Sequence, residues 1–191
     1  MNPIQPDLFL NVHKGIRRAL FSACTALGRA DGDLEHEREA RALLDESLHF
    51  VAHHGENEDL LLLPMLRERA PDIALRMTRA HAELDAARAA LSPELTSPEL
   101  YLAACAFTSR YLAHMDDEER SFEPAIRAAL TTSEAADFGR RSVERTSPAD
   151  QRMMLGWMLP AMTHAAAAGF LGKLPTALAD ELRSLVTGPV R

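Results

Sequence analysis

The sequence has little cysteine, few aromatic residues and no clustered positive charge. Two cysteines in 191 residues, Cys24 and Cys105, are too few for a disulfide framework, and neither has the spacing of a zinc site. Aromatic residues make up only 5%, whereas alanine and leucine are abundant, and this balance favours helices over strands. Acidic residues outnumber basic ones by 28 to 21 without a run of Lys or Arg, which argues against a nucleic-acid partner.

Long apolar runs are also missing. The longest are four leucines at 60–63 and four alanines at 165–168, far short of the roughly 20 residues that span a bilayer. The N-terminal residues lack the basic and apolar regions of a secretory signal. We therefore predict a cytoplasmic protein with no membrane contact.

The chain divides into long helical stretches separated by turn residues and prolines. Apolar residues recur at three- and four-residue intervals, as on the buried face of a helix. Helices are predicted over residues 7–29, 34–69, 72–91 and 97–130. Because the connections are short, we predict an all-α fold, an up-down-up-down four-helix bundle over residues 1–131. The 31–33 turn closes the first helix, and Ser97 is the expected N-cap of the fourth.

The remaining residues, 132–191, differ from the bundle in having several prolines. Helix starts at Ser147 and Thr163, with Pro160 and Pro175 between and after them, predict several short helices. We expect these helices to pack on the bundle as part of the same domain.

Two segments repeat one pattern: HxxxE, a second acid, four further residues and then proline. The first begins at His54 and Glu58, and the second at His114 and Glu118. This spacing places an imidazole and a carboxylate one turn apart on the same helix face. Both pairs lie within apolar stripes, where an unpaired carboxylate costs several kcal/mol. A metal ion held between the two helices would remove that conflict.

The other two helices contribute His13 and His81. With a rise of about 1.5 Å per residue, all four histidines occupy one layer of an antiparallel bundle. Four imidazoles and two carboxylates match two first-row metal ions, each with two histidines and both bridged by the glutamates. We predict iron, with zinc or manganese as alternative occupants, and the predicted ligands are His13, His54, Glu58, His81, His114 and Glu118.

These segments resemble the hemerythrin-like, or HHE cation-binding, family of four-helix bundles. The resemblance rests on HKGIRRAL, HHGENEDLLLLP, AHAEL and HMDDEERSFEP and covers roughly residues 7–130. It implies that Glu58 and Glu118 bridge two iron ions and that the four histidines are terminal ligands.

One departure concerns the third helix. Oxygen-carrying hemerythrins have five histidines, including an HxxxH pair there, whereas His81 is followed by Asp85 and preceded by Met77 at the same four-residue spacing. Asp85 is either a ligand, a neighbour of a ligand or a solvated residue, and His53 and His49 are alternative sources of a fifth histidine. The acids that follow the motif glutamates, at 59 and 119, are predicted to lie about 100° off the inner face.

Three functions remain open at this point. The first is a non-haem di-iron protein that binds or reacts with O2, peroxide or NO in redox sensing or detoxification. The second is an iron-responsive regulatory protein whose metal loading controls stability or partner binding. The third is a metal-free interaction module. No motif identifies a protein partner, and both a monomer and a homodimer are compatible with the sequence.

The cysteines fall on the first and fourth helices, on the same side of the histidine layer. Cys24 lies eleven residues after His13 and Cys105 nine residues before His114, so their heights differ by about 3 Å. They form either a redox pair or two small apolar residues of the core.

Overall fold

Helices account for nearly all of the protein between its short turns. The computed structural model describes residues 8–30 and 32–187, and no strand occurs among them. The helices are α1 Leu10–Arg29, α2 Leu34–Asn57, α3 Leu63–Arg69, α4 Pro71–Ala89, α5 Ser97–Asp117, α6 Glu123–Ala129, α7 Thr132–Arg145, α8 Pro148–Met158, α9 His164–Leu171, α10 Thr176–Leu182 and α11 Ser184–Thr187. The predicted start at residue 7, Asp31 of the predicted turn and the last four residues lie outside the described part.

The helix starts follow from local side-chain chemistry. Asp33 accepts hydrogen bonds from the backbone N–H groups of Glu35 and His36 and so begins α2. At α5 the cap is Thr96, not the predicted Ser97: the amide and hydroxyl of Thr96 both donate to Glu99. The prediction was one residue late because both residues are good caps and only the Thr96–Glu99 spacing forms a capping box.

Each helix that carries an HxxxE motif changes its winding at the motif glutamate. A π turn follows α2 over Glu58–Leu62, and another follows α5 over Glu118–Phe122. In each, the carbonyl of the glutamate accepts a hydrogen bond from the amide five residues later. The next residue is Pro64 or Pro124, which has no N–H to donate and whose ring disfavours regular α winding before it. The motif proline therefore explains why the helix widens at the glutamate.

The long helices pack so that a polar layer lies between two apolar clusters. α1 lies against α2, α5 and α8, and α4 lies against α3 and α5. Phe9, the residue before α1, belongs to one apolar cluster and Ile16 on α1 to the other, with His13 between them. Along α2 and its π turn, Val51 and Leu61 flank the first HxxxE pair in the same way.

The C-terminal helices cover the outside of α1 and α2. α8 approaches α1 so closely that a Cβ atom on Gly15 would lie 2.6 Å from Cγ of Met158. The Trp157 indole donates a hydrogen bond to Glu46 on α2, and the Arg18 guanidinium lies 5.2 Å from the Trp157 ring centre. α8 thus packs on α1 and α2, while the assignment of residues 132–191 to the same domain as the bundle stays a prediction.

Candidate metal centre

All six residues predicted as ligands come together in the polar layer, in two groups that share one glutamate. Within each group the nitrogen and oxygen atoms lie within 4.8 Å of one another. One group contains His13, His54 and Glu118, and the other contains Glu58, His81, His114 and Glu118. All six side chains are buried, with His13, Glu58 and Glu118 completely inaccessible.

In the first group, the Nε2 atoms of two imidazoles point towards each other. Nε2 of His13 lies 3.1 Å from Nε2 of His54 and 3.2 Å from Oε2 of Glu118. Nε2 of His54 lies 3.4 Å from Oε1 of Glu58. Two nitrogen lone pairs and two carboxylate oxygens thus converge on one small volume.

The second group repeats this arrangement with the other oxygens of the same glutamates. Nε2 of His114 lies 3.0 Å from Oε1 of Glu118, and Nε2 of His81 lies 3.4 Å from Oε2 of Glu58. Each glutamate therefore directs one oxygen towards each histidine pair. This is the geometry required of a carboxylate that bridges two ions.

Six buried polar atoms of this layer lack a hydrogen-bond partner within the described residues. Both carboxylate oxygens of Glu58 and Glu118, Nε2 of His81 and Nδ1 of His114 are buried without a hydrogen bond. Unsatisfied buried carboxylates are costly and rare in native proteins. Imidazole and carboxylate are common donors to first-row transition metals, so the residues present fit a metal centre.

The pKa values in the layer are strongly shifted because its charged groups are buried close together. Burial and the nearby Glu118 raise the pKa of Glu58 to about 7. The pKa of Glu118 is well below its usual range, because contacts with His114 and His13 outweigh the effect of burial. Burial and His13 lower the pKa of His54 to about 3. Metal ions would take the place of the protons that these groups otherwise share.

Two further carboxylates orient the histidines from outside. Nδ1 of His13 donates to Oε1 of Glu119 at 2.9 Å, and the Arg17 guanidinium donates to both Glu119 oxygens at 2.7 and 3.0 Å. Nδ1 of His81 donates to Oδ1 of Asp59 at 2.6 Å. Placing the proton on Nδ1 leaves Nε2 free to bind a metal, and such outer carboxylates are typical of metal-bound histidines. Contacts with Glu118 and Glu119 raise the pKa of His13 to about 9 against the effect of burial.

Sequence reasoning missed this role, although the signal was present. Asp59 and Glu119 both directly follow a motif glutamate. They lie to the side of the inner face, as predicted, but from there they reach histidines on neighbouring helices.

The residues considered for a fifth histidine or an extra ligand do not join the two groups. His49 pairs with Asp150 at 2.8 Å, and Nδ1 of His53 accepts a hydrogen bond from the Asn57 amide at 3.0 Å. The Asp85 side chain is 68% exposed and pairs with Arg88.

A pocket of about 110 Å³ opens beside the second group. It lies between α2, α4 and α5, and Gly55 and Glu56 line it on the α2 side. The Tyr111 ring forms part of its wall and contacts the His114 ring edge-on, with 5.9 Å between their centres. The other lining residues include His81, His114, Leu84, Asp85 and Phe107.

The two cysteines lie near each other, away from the polar layer. Sγ of Cys24 is 3.3 Å from Oγ1 of Thr108, one turn after Cys105 on α5. Burial and the neighbouring Cys105 raise the pKa of the Cys24 thiol. Both cysteines are free thiols.

Comparison with known proteins identifies the family. The family model of the hemerythrin HHE cation-binding domain matches residues 6–126. No curated protein and no solved structure matches the chain significantly. Among the described residues, no helix has the length and apolar character needed to cross a membrane. Because the family model covers more than half of the chain, the chain belongs to the hemerythrin HHE cation-binding family.

Proposed function

We propose that this member of the hemerythrin HHE family holds two iron ions, bridged by carboxylates, and uses them to bind or react with a small oxidant or gas. The ligands are His13, His54, Glu58, His81, His114 and Glu118. The observation that carries the proposal is the arrangement of the two glutamates, each with one oxygen near each histidine pair. We propose that the four long helical stretches run up-down-up-down, which brings one or two ligands from each stretch into the layer.

Iron is the preferred metal because the donor set is nitrogen and carboxylate oxygen without thiolate. Zinc and manganese are the alternative occupants. When bound, two irons supply electrons to or accept them from a small ligand. The protein supplies the geometry: Glu119 and Asp59 hold Nε2 of His13 and His81 towards the layer, and Arg17 fixes Glu119.

The expected reaction with small ligands depends on which residues stand where oxygen-carrying hemerythrins have a fifth histidine. Met77 is completely buried in an apolar cluster, and Asp85 is exposed. Two histidines would therefore hold each ion, and neither Met77 nor Asp85 would occupy the place of a fifth histidine. We expect the reduced protein to become diferric quickly in air, rather than to store dioxygen reversibly, and to react with peroxide or NO.

The experiment is elemental analysis and absorbance spectroscopy of protein purified without chelators. We expect about two iron equivalents per chain, as in two-ion bundle sites, with the absorption bands of a bridged ferric pair. Folded protein that contains no metal would contradict the proposal and favour a metal-free interaction module. Stopped-flow mixing of reduced protein with O2 tests the oxidation. A stable form that releases O2 on evacuation would contradict that part.

A regulatory role for metal loading is the second candidate. Asn57 lies between His54 and Glu58, and its amide oxygen accepts a hydrogen bond from Nε of Arg145 on α7 at 3.3 Å. A change in the position of Asn57 on metal loading would therefore alter this hydrogen bond and the packing of the C-terminal helices. A metal-dependent change in their protease sensitivity, without reaction with oxidants, would favour this function.

A cytoplasmic location and a monomeric or homodimeric state remain predictions. Fractionation of cells that express the tagged full chain and sedimentation of the purified protein test them.

A further inference from the structure

We propose that small ligands reach the metal centre from one side only, through the pocket beside His81 and His114, and that the charges at its mouth admit neutral molecules in preference to anions. This inference rests on the proposed function, because it concerns access to the same centre.

The two histidine pairs differ in what lies behind them. His81 and His114 line the pocket, and Asp59, which orients His81, is 47% exposed at its edge. His13 is completely buried, and its ring stacks on Phe9 with 5.5 Å between the centres and 12° between the planes. His54, the other member of that pair, is about as exposed as His114 but does not line the pocket, so a ligand that enters through the pocket meets the His81–His114 side first.

The size and walls of the pocket suit a small molecule. A volume of about 110 Å³ is well above the roughly 10–15 Å³ that one water molecule requires. Leu84, Phe107 and Val51 make part of the wall apolar. O2, NO and hydrogen peroxide fit these dimensions.

The mouth of the pocket is negatively charged. Glu56, Asp59 and Asp85 line it with one cation, Arg88, which pairs with Asp85 at 3.2 Å. Three acids against one guanidinium give the lining, apart from its histidines, a net of two negative charges, and charges that line a pocket act on an entering ligand before salt fully screens them. Such a field lowers the local concentration of anions and has little effect on neutral molecules.

Gly55 provides a steric test of the route. A Cβ atom added to Gly55 would meet nothing within 4 Å, so Gly55→Leu places a side chain at the pocket wall without a clash at its Cβ. Gly139 on α7 also has open space around an added Cβ, and Gly139→Leu is the matched control. Two rates would be measured: NO binding to the reduced protein by stopped-flow absorbance, and iron removal by a small neutral chelator.

We expect Gly55→Leu to slow both rates roughly tenfold, as restricted access does, and Gly139→Leu to leave both unchanged. Unchanged rates in Gly55→Leu, or equal slowing in both variants, would overturn the route. Iron content and melting temperature are determined first for each protein. If the wild-type protein binds no metal, the proposed function itself fails. If it binds metal but Gly55→Leu has no effect, only the route fails.

The charge at the mouth is tested with azide as the anion and NO as the neutral ligand. The double variant Glu56→Gln/Asp85→Asn removes two acids, and Glu83→Gln removes an exposed acid of α4 outside the pocket lining. We expect the double variant to increase the rate of azide binding roughly tenfold at low salt, with NO unaffected and Glu83→Gln like wild type. No change for azide, or equal acceleration of NO, would overturn the selection of neutral ligands.

Discussion

The two halves of the polar layer are built from the same parts but differ in their surroundings. Each half has two histidines, lies near oxygens of both glutamates and has one histidine oriented by the acid that follows a motif glutamate. In one half that acid is Glu119, which is 22% exposed and bound by Arg17. In the other half it is Asp59, which is 47% exposed at the mouth of a pocket. The two halves thus differ in the residues around the ligands: we call the His13–His54 half the closed half and the His81–His114 half, which lies beside the pocket, the open half.

The largest difference between the two groups is expected when one of the two glutamates is removed at a time. Glu118 belongs to both groups, whereas Glu58 belongs to one group and only approaches His54 of the other, at 3.4 Å. We expect Glu118→Ala to lose both ions and Glu58→Ala to lose mainly the ion beside His81. Because metal binding adds to folding free energy, the melting temperature should fall more in Glu118→Ala.

The measurements are elemental analysis and thermal unfolding, with Glu83→Ala as the control on the exposed face of α4. Full occupancy in both glutamate variants would show that neither carboxylate bridges the ions.

A smaller effect is expected from the outer acids. Glu119→Gln and Asp59→Asn keep the size of each side chain but weaken its hydrogen bond to His13 or His81. Loss of such a partner typically reduces metal affinity about 10- to 100-fold. The Glu119 variant should lose more, because it also leaves the Arg17 guanidinium without its carboxylate partner. Competition with a chelator of known affinity measures the difference, and equal affinities to wild type would mean that these acids do not orient the histidines.

Much of this arrangement could be predicted from the sequence, because helix periodicity and HxxxE spacing are local properties. The helical class, the approximate helix bounds and the layer that contains His13 and His81 follow from rise per residue and apolar stripes. The π turns were missed, although Pro64 and Pro124 stand at the same distance from the motif glutamates. Contacts between helices, such as His81 with Asp59, depend on the rotation of each helix, which periodicity determines only to within a residue or so.

The closed half should also depend on the C-terminal helices. Gly15 lies two residues after His13, and an added Cβ would be 2.6 Å from Met158 Cγ and 3.0 Å from its Cα on α8. Gly15→Ala should therefore lower the free energy of unfolding by about 1–3 kcal/mol, as overpacking does. Gly139→Ala, in open space, should instead raise it by about 0.5–1 kcal/mol, since alanine favours helix over glycine. Chemical denaturation measures both free energies of unfolding. A Gly15→Ala variant as stable as the wild type would mean that α8 moves aside without loss of stability.

The smallest effect is expected in the oxidation of the two cysteines by peroxide. If peroxide enters at the open half and reacts there, the thiols of Cys24 and Cys105 should survive mild treatment. Two thiols and one peroxide would give a disulfide and two waters, and this reaction begins with a thiolate. Burial and the neighbouring Cys105 raise the pKa of the Cys24 thiol, which slows the reaction in which Cys24 is the attacking thiol. We expect two free thiols per chain when the metal-loaded protein is treated with mild peroxide, unfolded and titrated. Loss of both thiols with the iron content unchanged would show that the cysteines compete with the metal centre for the oxidant as a redox pair.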